Sequence, residues 1–112
     1  MHRVLFYKTN AGNEVVLDWL RSLDADDRKR IGEDLRVVQL GFPMGKPLCD
    51  SLGGGLWEVR SSLPSRREAR LLFFHSRAKR ALVVVHGFIK KTRTAPAGDI
   101  ELARRRRREF QD

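Results

Sequence analysis

The chain has 112 residues, of which 41% are hydrophobic and 33% charged, and its formal net charge at pH 7 is +9. This length predicts one domain, spanning residues 1–112, with room for a single modest core. The longest apolar run, Ala81 to Val85, is far shorter than the roughly 20 residues that span a bilayer. The first residues also lack the apolar stretch of a signal peptide. We therefore expect a cytoplasmic protein with no membrane association.

The positive charge is unevenly distributed. The stretch from Asp18 to Asp34 is nearly balanced, whereas the second half of the chain carries most of the excess. Such an excess predicts attraction to a polyanion, which could be nucleic acid, the ribosomal surface or an acidic protein. A basic protein without such a partner is the alternative. The single cysteine, Cys49, excludes an internal disulfide, and because no cysteine or histidine spacing resembles a metal site we expect neither metal nor cofactor.

The first half of the chain predicts one strand and two helices. Arg3 to Lys8 is short, β-branched and aromatic, which is typical of a strand. Asn13 and Asp24 are the expected N-caps of the two helices, and Gly41 with Pro43 is the expected end of the second. Apolar residues at helical spacing follow each cap: Val16, Trp19, Leu20 and Leu23, then Ile31, Leu35 and Val38. The two helices should form a hairpin laid against a sheet.

The second half predicts a sheet and a final helix. Residues 42–55 are rich in Gly and Pro and predict a loop, within which Gly53 to Gly55 is interpreted as a flexible linker. Three strand-like runs follow, LWEVRSS, REARLLFFHS and RALVVVHGFIKK, and should pair as an antiparallel meander. Pro96 to Phe110 predicts the last helix. The expected fold is therefore α+β, in the order β-α-α-β-β-β-α, with the helical hairpin on one face of a small, mainly antiparallel sheet and the other face open.

Basic residues occur in these runs where apolar residues would be expected. Strand alternation places Arg60 beside Glu58 on one side of the first run, and Arg70 beside Glu68 on one side of the second. Arginine presents a planar fork that matches phosphate oxygens, and fixed cations stabilise the charge of a phosphoryl transition state. The alternative for each arginine is an ion pair with one of these glutamates.

The third run adds a histidine and two lysines. If Gly87 does not open a bulge, Val84, His86, Phe88 and Lys90 share one face. His86 could be a satisfied core histidine or a proton-transfer group. The consecutive arginines from Arg104 to Arg108 surround most of a helix, so they could be a solvated helix end or a surface that attracts RNA or an acidic partner.

These residues together resemble a known family. The run LWEVRSSLPSRREARLLFF, followed by HGFIKKTRTAP and IELARRRRREF, resembles the phage-derived RelE-like toxins close to the HigB group, the toxins of type II toxin–antitoxin pairs. DWL at Asp18 to Leu20 and KPL at Lys46 to Leu48 extend the likeness over nearly the whole chain. It implies a RelE-like fold that cleaves messenger RNA in the ribosomal A site. The 2′-hydroxyl would attack without a metal, and a cognate antitoxin with a helix-turn-helix domain would neutralise the toxin. DNA would be reached only through that antitoxin, and the 70S ribosome and messenger RNA would be the other partners.

The resemblance also implies roles for particular residues. Arg70 matches the family's central-strand arginine and Arg60 its neighbour, while Lys90 and Lys91 fall where the family places a basic residue after the last strand. With His86 as the proton-transfer candidate, these form the expected catalytic set. The expected RNA contacts are Lys46, Phe88 (stacking on a base), Arg93, Arg104 and Arg105.

The chain departs from the family in two ways. Relatives usually read KTP before the last helix, whereas Ala95 precedes Pro96 here, so the cap should shift to Thr94 or weaken. The C-terminal tyrosine of some RelE relatives is absent, and Tyr7 lies at the other end of the chain. Two alternatives therefore stay open: a ParE-like poison of DNA gyrase that hydrolyses nothing, and an inactive copy kept as an antitoxin-binding co-repressor.

Overall fold

The computed structural model describes residues 1–110 and folds them into one mixed sheet with helices on both faces. The elements are β1 Arg3–Phe6, α1 Val15–Arg21, α2 Ala25–Gly41, β2 Cys49–Gly53, β3 Leu56–Ser62, β4 Glu68–Ser76, β5 Ala81–Lys90 and α3 Ala97–Glu109. The strand order is β1-β5-β4-β3-β2, with β1 parallel to β5 and the other neighbours antiparallel. The predicted α+β class and the β3–β4–β5 meander are confirmed. None of the described helices is long and apolar enough to cross a membrane.

The strand β2 lies in the segment that was predicted to be a loop, so the order contains one strand more than expected. Its sequence, CDSLG, has little intrinsic strand preference, and the strand exists because Cys49 and Ser51 pair with β3. The glycine triplet ends β2 at Gly53 and forms the tight turn to β3 at Gly54 and Gly55, so it is not a flexible linker. Gly53, Gly54 and Gly55 have φ of +86°, +61° and +83°, a backbone conformation that glycine adopts without steric cost.

The helical hairpin covers one face of the sheet, as expected. Its apolar side chains pack on those that β4 and β5 project to this face, forming a core with Val16, Ile31, Leu35, Val38, Leu71, Phe73, Leu82 and Val84. Asp24 is the N-cap of α2, and Gly41 is its last residue, both as predicted. The N-cap of α1 is Glu14 and not Asn13, and neither cap residue accepts a side-chain hydrogen bond.

The opposite face is not open over its whole area, because α3 packs on part of it. Ala103 is fully buried there in a second core with Leu56, Leu72, Phe74, Val83 and Val85. The helix begins after Pro96, and the Thr94 hydroxyl pairs with that of Thr92 at 3.0 Å, so Thr94 does not cap the helix. The helix packs on β4 and β5 and leaves the Arg60 and Phe88 side chains partly exposed.

The arginine run holds α3 on the sheet. Arg104 donates to the carbonyls of Leu52 and Gly53 at 3.1 and 3.2 Å. Arg106 donates to the Val85 carbonyl at 2.9 Å, and its guanidinium lies 5.2 Å from the ring centroid of Tyr7. Arg107 donates to the Gly54 carbonyl and lies over Phe74. By contrast, Arg105 and Arg108 are exposed. The run is thus neither a uniformly solvated end nor a uniform docking surface.

Candidate functional site

The strand register brings the basic residues together at the uncovered end of the sheet. Arg60 of β3 lies directly opposite Arg70 of β4, which lies opposite Phe88 of β5. Residues opposite each other across paired strands project to the same face. Two residues away along the strands, on the same face, lie Glu58 of β3 on one side and the pair Glu68 of β4 and Lys90 of β5 on the other. We call these residues the arginine patch: Glu58, Arg60, Glu68, Arg70, Phe88 and Lys90.

A β-bulge determines which β5 residues join this patch. Leu72 pairs with His86 but Phe73 pairs with Val84, so Val85 is the extra residue. Val84 packs under the helical hairpin, whereas Val85 packs under α3. The prediction that Val84 and His86 share a face was therefore wrong, and the bulge is at Val85 and not at Gly87. The shift places His86, Phe88 and Lys90 on the face that carries Arg70.

Arg70 is a buried ion-pair partner, with only 5% of its surface exposed. Its Nε lies 3.7 Å from Glu58 Oε1, its Nη1 lies 3.6 Å from Glu68 Oε1, and Nη1 donates to the Ala69 carbonyl at 3.0 Å. A desolvated guanidinium needs such partners, because an unpaired buried charge is strongly destabilising. The alternative stated for the sequence, an ion pair with a neighbouring glutamate, is thus what the structure shows for Arg70. These contacts fix the position of its guanidinium in the patch.

Arg60 differs from its neighbour in having no such partner. Its half-buried side chain makes no ion pair or hydrogen bond with any residue that the structure describes. Like charges directly opposite each other on antiparallel strands are destabilising. The two carboxylates offset the charge of Arg70 and leave that of Arg60 without compensation.

His86 links the patch to the first turn of α3. Its Nε2 lies 2.7 Å from Asp99 Oδ1, and its Nδ1 lies 3.4 Å from Arg106 Nη1. Its ring stacks on Phe88 with centroids 5.4 Å apart and an interplanar angle of 18°. Asp99 was not predicted from the sequence, where its only signal is a carboxylate one turn after Pro96. A proton-transfer role for His86 stays a prediction, and it requires one of these two contacts to break.

The remaining predicted residues divide by position. Lys90 donates to the Thr92 carbonyl, and Lys91 and Arg93 are exposed just after it with no partner in residues 1–110. The Nζ of Lys46 lies 3.8 Å from Oδ2 of Asp50. Asp50 is the β2 residue directly opposite Glu58 of β3, so Lys46 lies beside the patch. Three further cations thus adjoin the patch: Lys46 just before β2, and Lys91 and Arg93 just after β5.

Two other predicted RNA contacts and the only tyrosine lie elsewhere. Arg104 is bonded to the backbone at the β2–β3 turn, beyond the start of β3, which is four residues before Arg60. Arg105 forms an ion pair with Glu109, with 3.7 Å between Nε and Oε1. The Tyr7 hydroxyl donates to Glu109 at 2.8 Å, and burial together with this hydrogen bond raises the pKa of Tyr7. Within residues 1–110, no three His, Cys, Asp or Glu side chains form a group that could hold a metal ion.

The element order and the sheet topology define a RelE-like α+β domain. The isolated RelE toxin of E. coli superposes with a TM-score of 0.52 at 17% identity, covering 93% of this chain and 98% of that one. The intact E. coli RelBE toxin–antitoxin complex contains a similar chain, with a TM-score of 0.50 at 17% identity and coverage of 82% and 100%. At such identity the likeness establishes the fold, and the predicted RelE-like fold is confirmed.

The family follows from the sequence. Residues 18–108 match the model of the family described as phage-derived protein Gp49-like. The chain therefore belongs to the Gp49-like family. No curated protein sequence matches the chain.

Proposed function

We propose that this protein is the toxin of a type II toxin–antitoxin pair and that it inhibits translation as a ribosome-dependent messenger RNA endonuclease. The family, the RelE-like fold and the net charge of +9 support this proposal. One observation carries it, namely that Arg60 faces Arg70 and lacks a counter-charge among the described residues. A phosphate that binds both arginines would supply that charge.

The proposed reaction needs no metal. The scissile phosphate binds to Arg60 next to the prepositioned Arg70, and the adjacent 2′-hydroxyl attacks phosphorus. The bond from phosphorus to the 5′-oxygen of the next nucleotide breaks, which leaves a 2′,3′-cyclic phosphate and a 5′-hydroxyl. Arg60, Arg70 and Lys90 stabilise the negative charge that develops on the phosphoryl oxygens. This set forms the proposed transition-state site.

The residues around the site hold the rest of the RNA. Phe88 is half-buried and its ring already stacks on His86, so its exposed part is the proposed stacking surface for a base. Lys46, Lys91 and Arg93 contact flanking phosphates, with a smaller contribution from the exposed Arg105.

The proposed regulator is a cognate antitoxin. The RelE toxin of E. coli assembles with an antitoxin in the RelBE complex. We infer a partner of the same kind here, carrying a helix-turn-helix domain, so that DNA is contacted through the antitoxin. Both partners would act in the cytoplasm.

The test is to express the chain from an inducible promoter and map the 5′ ends of cellular transcripts. Arg60→Ala removes the unpaired guanidinium. Arg77→Ala is the matched control, because it removes the same charge from an exposed position in the β4–β5 turn. We expect codon-phased cuts in translated messages for the wild type and Arg77→Ala, and none for Arg60→Ala.

The other outcomes would overturn the proposal. Growth arrest with intact messages and altered DNA supercoiling would indicate a gyrase poison of the ParE kind. Absence of arrest, with binding to the antitoxin retained, would indicate a co-repressor module. Equal cleavage by the wild type and Arg60→Ala would keep a nuclease but remove the arginine patch as its site.

A further inference from the structure

Glu58 is a desolvated carboxylate without a hydrogen bond. Only 13% of its side chain is exposed, and its nearest cation, Arg70 Nε, is 3.7 Å from Oε1, which is too long for a hydrogen bond. Neither oxygen has another partner in residues 1–110. Carboxylates removed from water normally accept several hydrogen bonds, because losing hydration is costly. Glu58 therefore has unused acceptor capacity at the patch.

The second carboxylate of the patch is in a different condition. Glu68 is 49% exposed, pairs with Arg70 Nη1 at 3.6 Å and accepts a hydrogen bond from the Ser62 hydroxyl at 3.2 Å. It is thus solvated and bonded, as expected of a counter-ion for Arg70. The buried charge of Arg70 requires a counter-ion, and Glu68 is sufficient for that role.

The position of Glu58 suits an acceptor for the nucleophile's proton. It lies two residues before Arg60 on the same face of β3, so their Cα atoms are about 7 Å apart. The reacting 2′-oxygen lies roughly 3 Å from the phosphorus that it attacks. With a phosphate on the Arg60 guanidinium, the 2′-hydroxyl falls within reach of a carboxylate at Glu58.

The other candidate proton acceptors are engaged. Both nitrogens of His86 face partners, Asp99 and Arg106. Lys90 donates to a backbone carbonyl. Tyr7 bonds to Glu109 beside the arginine run of α3. We propose, resting on the nuclease function above, that the Glu58 carboxylate is the general base that activates the 2′-hydroxyl.

The proton balance of the step is simple. Glu58 takes the proton of the 2′-hydroxyl while the 2′-oxygen bonds to phosphorus and the bond to the 5′-oxygen breaks. Water protonates the departing 5′-oxygen, and the resulting hydroxide takes the proton back from Glu58. The side chain returns to a carboxylate, and no oxidant, reductant or metal enters the cycle.

Several charged groups surround Glu58 and bear on any pH dependence. They come from every strand packed beside it: Arg60 on β3, Arg70 on β4, Asp50 on β2 with its partner Lys46, and His86 on β5 in the same row.

The test is single-turnover cleavage of messenger RNA on purified 70S ribosomes, with ribosome binding measured separately. Glu58→Gln removes the base, Glu58→Asp keeps it at a shorter reach, and Glu68→Gln removes the other carboxylate beside Arg70. We expect Glu58→Gln to lower the chemical rate roughly 100- to 10,000-fold with ribosome affinity unchanged, and Glu58→Asp to recover part of that rate.

The pH dependence separates a base from a counter-ion. Without a base, attack depends on hydroxide, so the rate of Glu58→Gln should rise about tenfold per pH unit while the wild type and Glu68→Gln stay nearly flat. Wild-type cleavage combined with unchanged rate and pH slope in Glu58→Gln would overturn the role of Glu58 and leave the nuclease intact. Equal losses in Glu58→Gln and Glu68→Gln would show that both glutamates only hold Arg70. Absence of cleavage by the wild type would overturn the proposed function itself.

Discussion

Arg60 and Arg70 lie directly opposite each other on antiparallel strands, but only Arg70 has carboxylate partners, Glu58 at 3.7 Å and Glu68 at 3.6 Å. The pairing of two arginines costs stability. The carboxylates offset that cost for Arg70, whereas the Arg60 side chain has no ion pair or hydrogen bond with the described residues. Arg70 is thus a positioned, buried cation, and under the proposed function Arg60 is the residue whose removal tests anion binding.

Removing Arg70 should damage the fold. Arg70→Met leaves Glu58 desolvated without a counter-charge, so we expect the free energy of unfolding to fall by about 3–5 kcal/mol. Glu58→Gln in the same protein should recover part of this loss, because the stranded charge is gone. Arg60→Met, the matched control, should change stability by less than about 1 kcal/mol. Urea denaturation of the four proteins measures this, and equal losses for Arg60→Met and Arg70→Met would contradict the asymmetry.

Asp27 should make stability depend on acid. It ties α2 to the β3–β4 turn by accepting the Ser65 backbone N–H at 3.1 Å and an Arg67 donor at 3.2 Å. Hydrogen bonding from Ser65, and then from Arg67, lowers the pKa of Asp27 from its ordinary 3.8. A lowered native pKa gives stability that is present above the unfolded value and is lost as pH falls through the native one.

We therefore expect Asp27→Asn to be less stable than the wild type at neutral pH, with a smaller loss of stability on acidification. Asp26→Asn, at the exposed neighbouring position, should keep the wild-type dependence. Urea unfolding measured between about pH 2 and 7 supplies the comparison. The idea fails if Asp26→Asn and Asp27→Asn give the same curve.

Gly87 is required by the packing of α1 on β5. A Cβ at this position would lie 2.6 Å from Trp19 Cε3 and 3.0 Å from Leu71 Cδ2. Gly87→Ala should cost about 1–3 kcal/mol, because Leu71 is buried in the core and the half-buried Trp19 packs against that core. Gly32→Ala faces open space in the interior of α2 and should gain about 0.5–1 kcal/mol. Thermal unfolding distinguishes the two, and a neutral Gly87→Ala would show that Trp19 can move aside.

The arginine run should contribute unequally to stability. Arg107 bonds to the Gly54 carbonyl and lies 5.1 Å from the Phe74 ring centroid. Arg107→Ala should therefore cost about 1–2 kcal/mol, whereas Arg108→Ala, at an exposed position, should change stability by less than about 0.5 kcal/mol. Comparable losses in denaturant titrations of the two variants would mean that net charge, and not anchoring, governs α3.

The features that periodicity governs could be predicted from the sequence, and those that pairing governs could not. Val16, Ile31 and Leu35 mark their helices by spacing alone, and the meander follows from alternating strands and turns. The strand β2 gave no signal, because five residues with little strand preference depend on their partner for order. The bulge at Val85 was equally invisible, since a run of valines reads the same in either register.

The candidate site could likewise be predicted only in the features that strand alternation determines. Arg60, Arg70 and Lys90 could be proposed from alternation and resemblance, and the register confirms that they share a face. Which arginine would be neutralised depended on side-chain geometry that no spacing encodes. Asp99 became relevant only once α3 crossed the sheet beside His86. The contacts of Arg104, Arg106 and Arg107 with the sheet also became apparent only from the packing of α3. Arg105 and Arg108 stay exposed.

The most direct test of the central claim is single-turnover cleavage of a short messenger RNA in the A site of purified 70S ribosomes by wild type, Arg60→Ala and Arg77→Ala. We expect the wild type and Arg77→Ala to cleave at matching rates, to leave a 2′,3′-cyclic phosphate, and to be inactive when the attacking nucleotide is 2′-deoxy. Arg60→Ala should fold normally and cleave on the order of 100-fold more slowly. Full activity in Arg60→Ala, or no cleavage by the wild type, would contradict the account.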